Sequence, residues 1–137
     1  MTVGSEAARR LADAARQARQ RAYAPYSNFT VGAAVQCADG RVFAGCNVEN
    51  ASYSLTMCAE RVALFSAIAA GCERIEAIAI AGPGPEPISP CGACRQVLVE
   101  LAPEAAVIMA GEQTSRTRSV ADLMPEAFGS DTLEKQR

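Results

Sequence analysis

The stretch "SPCGACRQVL", Ser89 to Leu98, sets Cys91 and Cys94 three positions apart in a chain of 137 residues with six cysteines and no histidine. On a helix, residues at i and i+3 project from one face, so these two thiols can share a single ion. Two ligands do not complete a zinc site. The other cysteines are Cys37, Cys46, Cys58 and Cys72, and of these Cys58 opens a second predicted helix with an acid, Glu60, two residues on. A helix N-terminus carries unpaired N–H groups and a partial positive charge, and both favour thiolate over thiol. Two helices that each begin with cysteine can therefore meet around one Zn²⁺.

A closed, purely structural site would need a fourth thiolate from Cys37 or Cys46. Both fall within predicted strands, where cysteine usually serves as a small buried hydrophobe. Cys72, just past a predicted helix end, reads as structural. Cys58, Cys91 and Cys94 then leave a fourth position open, which is the pattern of a catalytic zinc that carries water. Glu60 is the acid available to handle that water's proton.

The elements that must position these residues follow from periodicity. Between Glu6 and Ala22, apolar residues recur at three and four, which predicts an amphipathic helix with Arg9, Arg10, Arg16 and Arg19 mostly on its solvent side. No aromatic residues are interleaved with those arginines, so they read as a solvated face rather than an RNA-binding stripe. Phe29, Val31, Ala33, Val35 and Cys37 alternate as in a strand, Ala38-Asp39-Gly40 turns the chain, and "RVFAGCNVE" returns as a second strand. "CAERVALFSAIAAG" is an apolar helix with Gly71 as its left-handed cap. "IEAIAIA" suits a central strand covered on both faces. Ser89 as N-cap and Pro90 at the first helical position predict a helix from Cys91 to Leu101. "AAVIMA" and "RTRSV" are the last strands, and the tail closes in a short helical turn with a polar end from about residue 130 to 137. A strand pair followed by alternating helix and strand predicts an α/β fold: one domain over residues 1–137, built on a single mixed sheet of five strands with helices on both faces.

Composition narrows the function classes. A formal charge of −2 gives no basic field for neutralising nucleic-acid phosphates, so no nucleic-acid partner is expected. The start has no apolar signal core, and the longest apolar stretch is far short of the roughly 20 residues that span a bilayer. The expectation is a cytoplasmic protein without a membrane partner, whose cysteines are reduced thiols or metal ligands rather than a disulfide framework.

With these residues in view, "CAER" followed by "PCGAC" resembles the zinc-dependent cytidine deaminases, whose zinc chemistry includes a three-cysteine variant and a glutamate that is not a ligand. "AYAPYSNFTVGAA", "GCNVENASYSLTMCAER", "SPCGACRQVL" and "LMPEAFG" look like successive blocks of the small, free-nucleoside type, from Ala22 to Gly129. The resemblance implies that Cys58, Cys91 and Cys94 hold one zinc per chain and that Glu60 shuttles protons, with no organic cofactor. It also implies sugar contacts from Asn47 and Glu49, a pyrimidine pocket faced by Phe29, and the backbone of Ala59 near the base carbonyl. Relatives that act on free bases or nucleic acids commonly carry histidine where this chain has Cys58, so cysteine there favours nucleosides. Three thiolates leave a zinc centre with a net negative charge, and Arg61 is implied to offset it by hydrogen bonds to the sulfurs; Arg95 is a weaker candidate for the same task.

The implied reaction is hydrolytic deamination of cytidine and 2′-deoxycytidine to uridine and 2′-deoxyuridine with release of ammonia, a step of pyrimidine salvage. A deaminase of a cytosine-bearing antibiotic such as blasticidin S would share the zinc motifs, and a zinc-stabilised binding module without chemistry is the alternative of another class. By composition alone, Phe128 in the tail folds back onto its own core. The resemblance implies instead a homotetramer with shared sites, in which the tail helps build a neighbour's base pocket and Tyr53 also reaches across an interface.

Overall fold

In the computed structural model, which describes residues 4–134, helix α1 (Ser5–Arg19) covers one face of a five-stranded sheet. Its seat is made mostly of alanine: Leu11, Ala12 and Ala15 pack on Ala34, Ala77, Ala79, Ala81, Ala106, Ile108 and Ala110. Small side chains let helix and sheet approach closely. The closest point is Gly32, where a Cβ would lie 2.0 Å from the Ala15 carbonyl oxygen, so only glycine fits. The helix stops short of the predicted Ala22. After Arg19 the N–H groups of Gln20, Arg21 and Ala22 donate to the carbonyls three residues back, and the Arg19 Nε donates to both oxygens of Thr30, which turns the chain toward the sheet.

Strands β1 (Gly32–Cys37) and β2 (Val42–Cys46) form the predicted hairpin, with Gly40 at φ +96° in its turn. Both are shorter than predicted, so Phe29 lies ahead of β1, and Asn47 and Glu49 lie beyond β2. Helix α2 (Ala59–Ala69) ends before Gly71, whose φ of +89° is the expected left-handed cap. It leads into β3 (Ile75–Ala81), buried nearly throughout as a central strand should be. Helix α3 (Gly92–Leu101) then crosses over to β4 (Ala106–Ala110), which pairs parallel to β3, while β5 (Ser115–Ser119) returns antiparallel at the edge. The strand order is β2-β1-β3-β4-β5, the single mixed sheet predicted from the sequence. Helices α4 (Val120–Leu123) and α5 (Ser130–Glu134) close the chain; α5 occupies the first part of the predicted polar tail, whose last residues, 135–137, lie outside the described residues.

The face opposite α1 carries α2 and α3 over a second core that includes Val35, Ala63, Leu64, Ile78, Ile80, Leu98, Val107 and Met109. Helix α2 runs back along the sheet and delivers the chain to the start of β3, so its own N-terminus lies near the end of β3, where α3 begins. The topology thus brings both helix N-termini to one edge of the sheet, the one formed by the strand ends where β3 finishes.

Two expectations need correction. Cys91, rather than Ser89, is the N-cap of α3, because the Pro90 carbonyl is taken by the Arg95 Nε at 2.8 Å instead of by a helical N–H. Cys37 and Cys72 are not free thiols: they form a disulfide with a Cα–Cα separation of 5.9 Å. The reason is topological. β1 runs antiparallel to β3 with Cys37 opposite Ile75, and Cys72 lies three residues before Ile75, so the two cysteines meet at the opposite edge, formed by the end of β1 and the start of β3. Among the described helices, none is long and apolar enough to cross a membrane.

Candidate active site

At the edge where α2 and α3 begin, the sulfurs of Cys58, Cys91 and Cys94 lie within 4.8 Å of one another. Cys58 and Cys91 are the N-caps of the two helices, and Cys94 sits in the first turn of α3. Each of these cysteines therefore stands at the positive end of a helix. A Zn–S bond of about 2.3 Å puts two sulfurs of a tetrahedral site about 3.8 Å apart; the Cys58 and Cys91 sulfurs are 3.8 Å apart. Donor type, number and spacing fit one zinc ion with its fourth position open. Cys46, half-buried in β2, is not part of the cluster.

Arg61 lies one turn along α2 and donates from Nη2 to the Cys58 sulfur at 3.2 Å. Its Nε is buried with no acceptor among the described residues, so the guanidinium keeps further donor capacity beside the sulfurs. Cys58 is the acidic member of the trio, brought down to about 5 first by the Cys94 thiol that donates to it, then by Arg61 and Cys91, against the opposing effect of burial. Cys94 is pushed up, because its proton is held by that bond to Cys58 and because it is buried. A strongly polarised thiolate set next to a fixed cation is what a soft divalent metal requires.

Glu60 is 5% exposed, an unusual place for an acid on a helix. Burial raises its pKa, and the negative Cys58 sulfur adds to the rise, while its own backbone N–H, the Cys94 thiol and Arg61 pull the other way. A carboxyl desolvated beside a metal-ligand set is suited to holding a proton and giving it back.

A depression of about 380 Å³ is lined by Tyr26, Ser27, Glu49, Tyr53 and Thr56. Glu49 is fixed there by the N–H groups of Tyr26 and Ser27 at 2.9 and 3.2 Å and by the Ser27 hydroxyl. These bonds, the hydroxyl's first, hold its carboxyl below the usual range. The backbone ties this acid to the sulfur cluster: Val48 exchanges two 2.9 Å bonds with Met57, the residue before Cys58. Asn47 is buried, with Oδ1 accepting from the Val31 N–H at 2.9 Å and Nδ2 donating to the Phe29 carbonyl at 2.8 Å. Most of its polar capacity is thus spent on holding the approach to β1. Phe29 is exposed rather than core. Ala59 is the first residue of α2, where a backbone N–H has no acceptor within the helix.

Tyr53, in a short 3₁₀ turn, is 75% exposed and meets Tyr26 edge-on with ring centroids 6.2 Å apart. Phe128 does not fold back onto the core as composition suggests; it is 58% exposed, and its carbonyl accepts from the Gln96 Nε2 at 2.7 Å. Arg95 does not reach the sulfurs. It donates to the carbonyls of Pro90 and Leu123 instead. Sequence reasoning missed Tyr26, Ser27 and Thr56 as walls of the depression and Gln96 as a partner of the tail. "YAPYSNF" signals a turn, but nothing in it signals a contact across more than twenty residues to Glu49.

Sheet order, paired helix N-termini and the sulfur trio define a zinc-binding deaminase domain, and the family described as the cytidine and deoxycytidylate deaminase zinc-binding region matches residues 5–110. The chain belongs to the cytidine deaminase family. It is 46% identical over 119 residues to a cytidine deaminase of Halalkalibacterium halodurans, across 85% of this chain and 90% of that protein. A cytidine deaminase of Mycobacterium tuberculosis is 45% identical over 123 residues, covering 90% of each. The crystal structure of cytidine deaminase from Burkholderia pseudomallei superposes with a TM-score of 0.84 at 56% identity, over 88% of this chain and 98% of that one.

Proposed function

We propose that this protein deaminates cytidine and 2′-deoxycytidine hydrolytically, yielding uridine and 2′-deoxyuridine with release of ammonia. The observation that carries this reading is the buried carboxyl of Glu60 beside three sulfurs that fit one zinc. A non-catalytic zinc module would have no use for a desolvated acid at that position. The identity to proteins named cytidine deaminase supports nucleosides over a cytosine-bearing antibiotic as the substrate class.

Cys58, Cys91 and Cys94 would hold one zinc, which would supply a water nucleophile near neutral pH. Glu60 takes a proton from the attacking water and delivers it to N3 of the pyrimidine as the water oxygen bonds to C4, then moves the remaining proton of that oxygen to the amino group, which leaves C4 as ammonia. Arg61 offsets the negative charge of the thiolates. The free N–H of Ala59 binds the base carbonyl, Phe29 stacks on the ring, and Glu49 with the remaining Nδ2 proton of Asn47 binds the sugar hydroxyls. In this reading the protein works in pyrimidine salvage in the cytoplasm as a homotetramer, with Tyr53 and Phe128, both exposed on the single chain, completing a neighbour's site.

The test is to mix pure protein with cytidine, 2′-deoxycytidine, cytosine and CMP and to follow ultraviolet absorbance and ammonia, with bound zinc measured in parallel. Both nucleosides should be converted by protein containing one zinc per chain. Zinc-loaded protein that releases no ammonia from either nucleoside refutes the assignment. Light scattering should give about four times the chain mass, and a fully active monomer would exclude shared sites.

A further inference from the structure

The segment that carries Phe128 is bent by a residue poorly suited to its conformation. Glu126 has φ +53°, in the left-handed region that a side chain with a Cβ disfavours. Such a turn persists when its surroundings hold it. Here both flanks are held from one helix. Arg95 donates from Nη1 to the Leu123 carbonyl at 2.7 Å on one side, and Gln96 donates from Nε2 to the Phe128 carbonyl at 2.7 Å on the other. The same Arg95 holds the Pro90 carbonyl, directly before Cys91, through Nε. Arg95 has no carboxylate partner among the described residues, so its charge is committed to these carbonyls.

We propose that Arg95 and Gln96 are positioning residues: a latch on the zinc helix that holds the strained turn at Glu126 and thereby sets where the Phe128 ring is presented. Anchoring the backbone carbonyl of Phe128 while its side chain stays 58% exposed is how a segment offers a ring outward instead of burying it. Because Arg95 and Gln96 follow Cys94 directly, the metal-ligand helix and the aromatic wall move as one body. The proposal rests on the reading that Phe128 takes part in a base pocket.

The experiment compares Gln96→Ala, Phe128→Ala and the double variant in the zinc-loaded assembly, with KM and kcat for cytidine, bound zinc, and hydrogen exchange of segment 124–129. Losing one neutral hydrogen bond corresponds to about a three- to tenfold change in an equilibrium. Gln96→Ala is therefore expected to raise KM about three- to tenfold, leave kcat and zinc near parental values, and speed exchange in the segment. The double variant should be no worse than Phe128→Ala alone, since both remove one function. Glu126→Gly, which suits the left-handed conformation, should recover part of the KM in Gln96→Ala. Arg95→Lys, which replaces the separate Nε and Nη1 donors by a single nitrogen, should act in the same direction as Gln96→Ala. If Phe128→Ala raises KM and Gln96→Ala does not, the latch is wrong while the Phe128 reading stands. If Phe128→Ala leaves KM unchanged, both fall. A Gln96→Ala variant that loses zinc or kcat without a KM effect reduces Gln96 to a purely structural role and overturns the proposal.

Discussion

At the N-terminal end of α2, Cys58 meets Cys91 and Cys94 as an open set of sulfurs; at the C-terminal end, Cys72 is bonded to Cys37. The two ends differ in field. The first has the Cys94 thiol and the Arg61 guanidinium donating to Cys58, which bring it down to about 5 against the opposing effect of burial. The second presents helix carbonyls, and its nearby cation, Arg41, donates to the Ala70 carbonyl at 2.9 Å. Cys37 and Cys72 are both buried there, and the neighbouring Arg41 and Arg74 are paired with Asp39 and Glu76. The same residue type thus forms a polarised sulfur cluster that fits zinc at one edge of the sheet and a disulfide at the other.

The largest effect expected from breaking this comparison is at the ligand edge. Glu60→Gln should retain zinc and an unchanged melting temperature yet lose about two to four orders of magnitude in kcat, the usual span of general acid–base catalysis. Cys58→Ser, Cys91→Ser and Cys94→Ser should each lose metal, whereas Cys46→Ser should keep it. Metal analysis and steady-state kinetics on the same preparations read both. A Glu60→Gln enzyme with near-parental turnover would reduce Glu60 to a buried structural acid.

At the staple edge the effect moves from rate to stability. The disulfide joins residues 35 apart in sequence, a loop for which chain entropy suggests stabilisation of about 2–4 kcal/mol. The double variant Cys37→Ser/Cys72→Ser should lose stability of that order in denaturant unfolding, with zinc content and kcat for cytidine unchanged. Loss of zinc in that variant would mean that the two edges are not independent.

Local pattern made most of the fold legible. Periodicity of three and four marked α1, an apolar run ending at Gly71 marked α2, alternation and a glycine turn marked the hairpin, and the isoleucine-rich run "IEAIAIA" coincides with β3. The metal cluster was readable because each ligand is announced by its position at a helix start. The disulfide was not, because it depends on β1 and β3 running antiparallel, which places Cys37 near Cys72 without any local signal. The same holds for the Ser27 bonds to Glu49 and the Gln96 bond to Phe128, which join segments 22 and 32 residues apart. The start of α3 was misplaced because Arg95 competes for the Pro90 carbonyl, and the end of α1 because its last turn tightens to bonds three residues back.

The smallest predicted effect separates Glu49 from the catalytic edge and concerns substrate charge. With Tyr26, Ser27 and Ser27's hydroxyl already on its oxygens, Glu49 has room for about one more donor, which suits a sugar hydroxyl. Its pKa is lowered, so the carboxylate charge persists above that lowered value and disappears only as pH falls through it. From pH 5 to 8 Glu49 therefore stays ionised, and any change in discrimination over that range comes from the substrate. The phosphate of CMP gains its second charge near about pH 6, so the preference for cytidine over CMP should strengthen as pH rises through that value. Glu49→Gln keeps an oxygen that can accept but removes the charge, and should flatten this step several-fold while raising KM for cytidine modestly. Measuring kcat/KM for both substrates across the range decides it: a parent enzyme that uses CMP as well as cytidine at pH 8, or a Glu49→Gln variant with the parental pH step, removes Glu49 as the source of the selectivity.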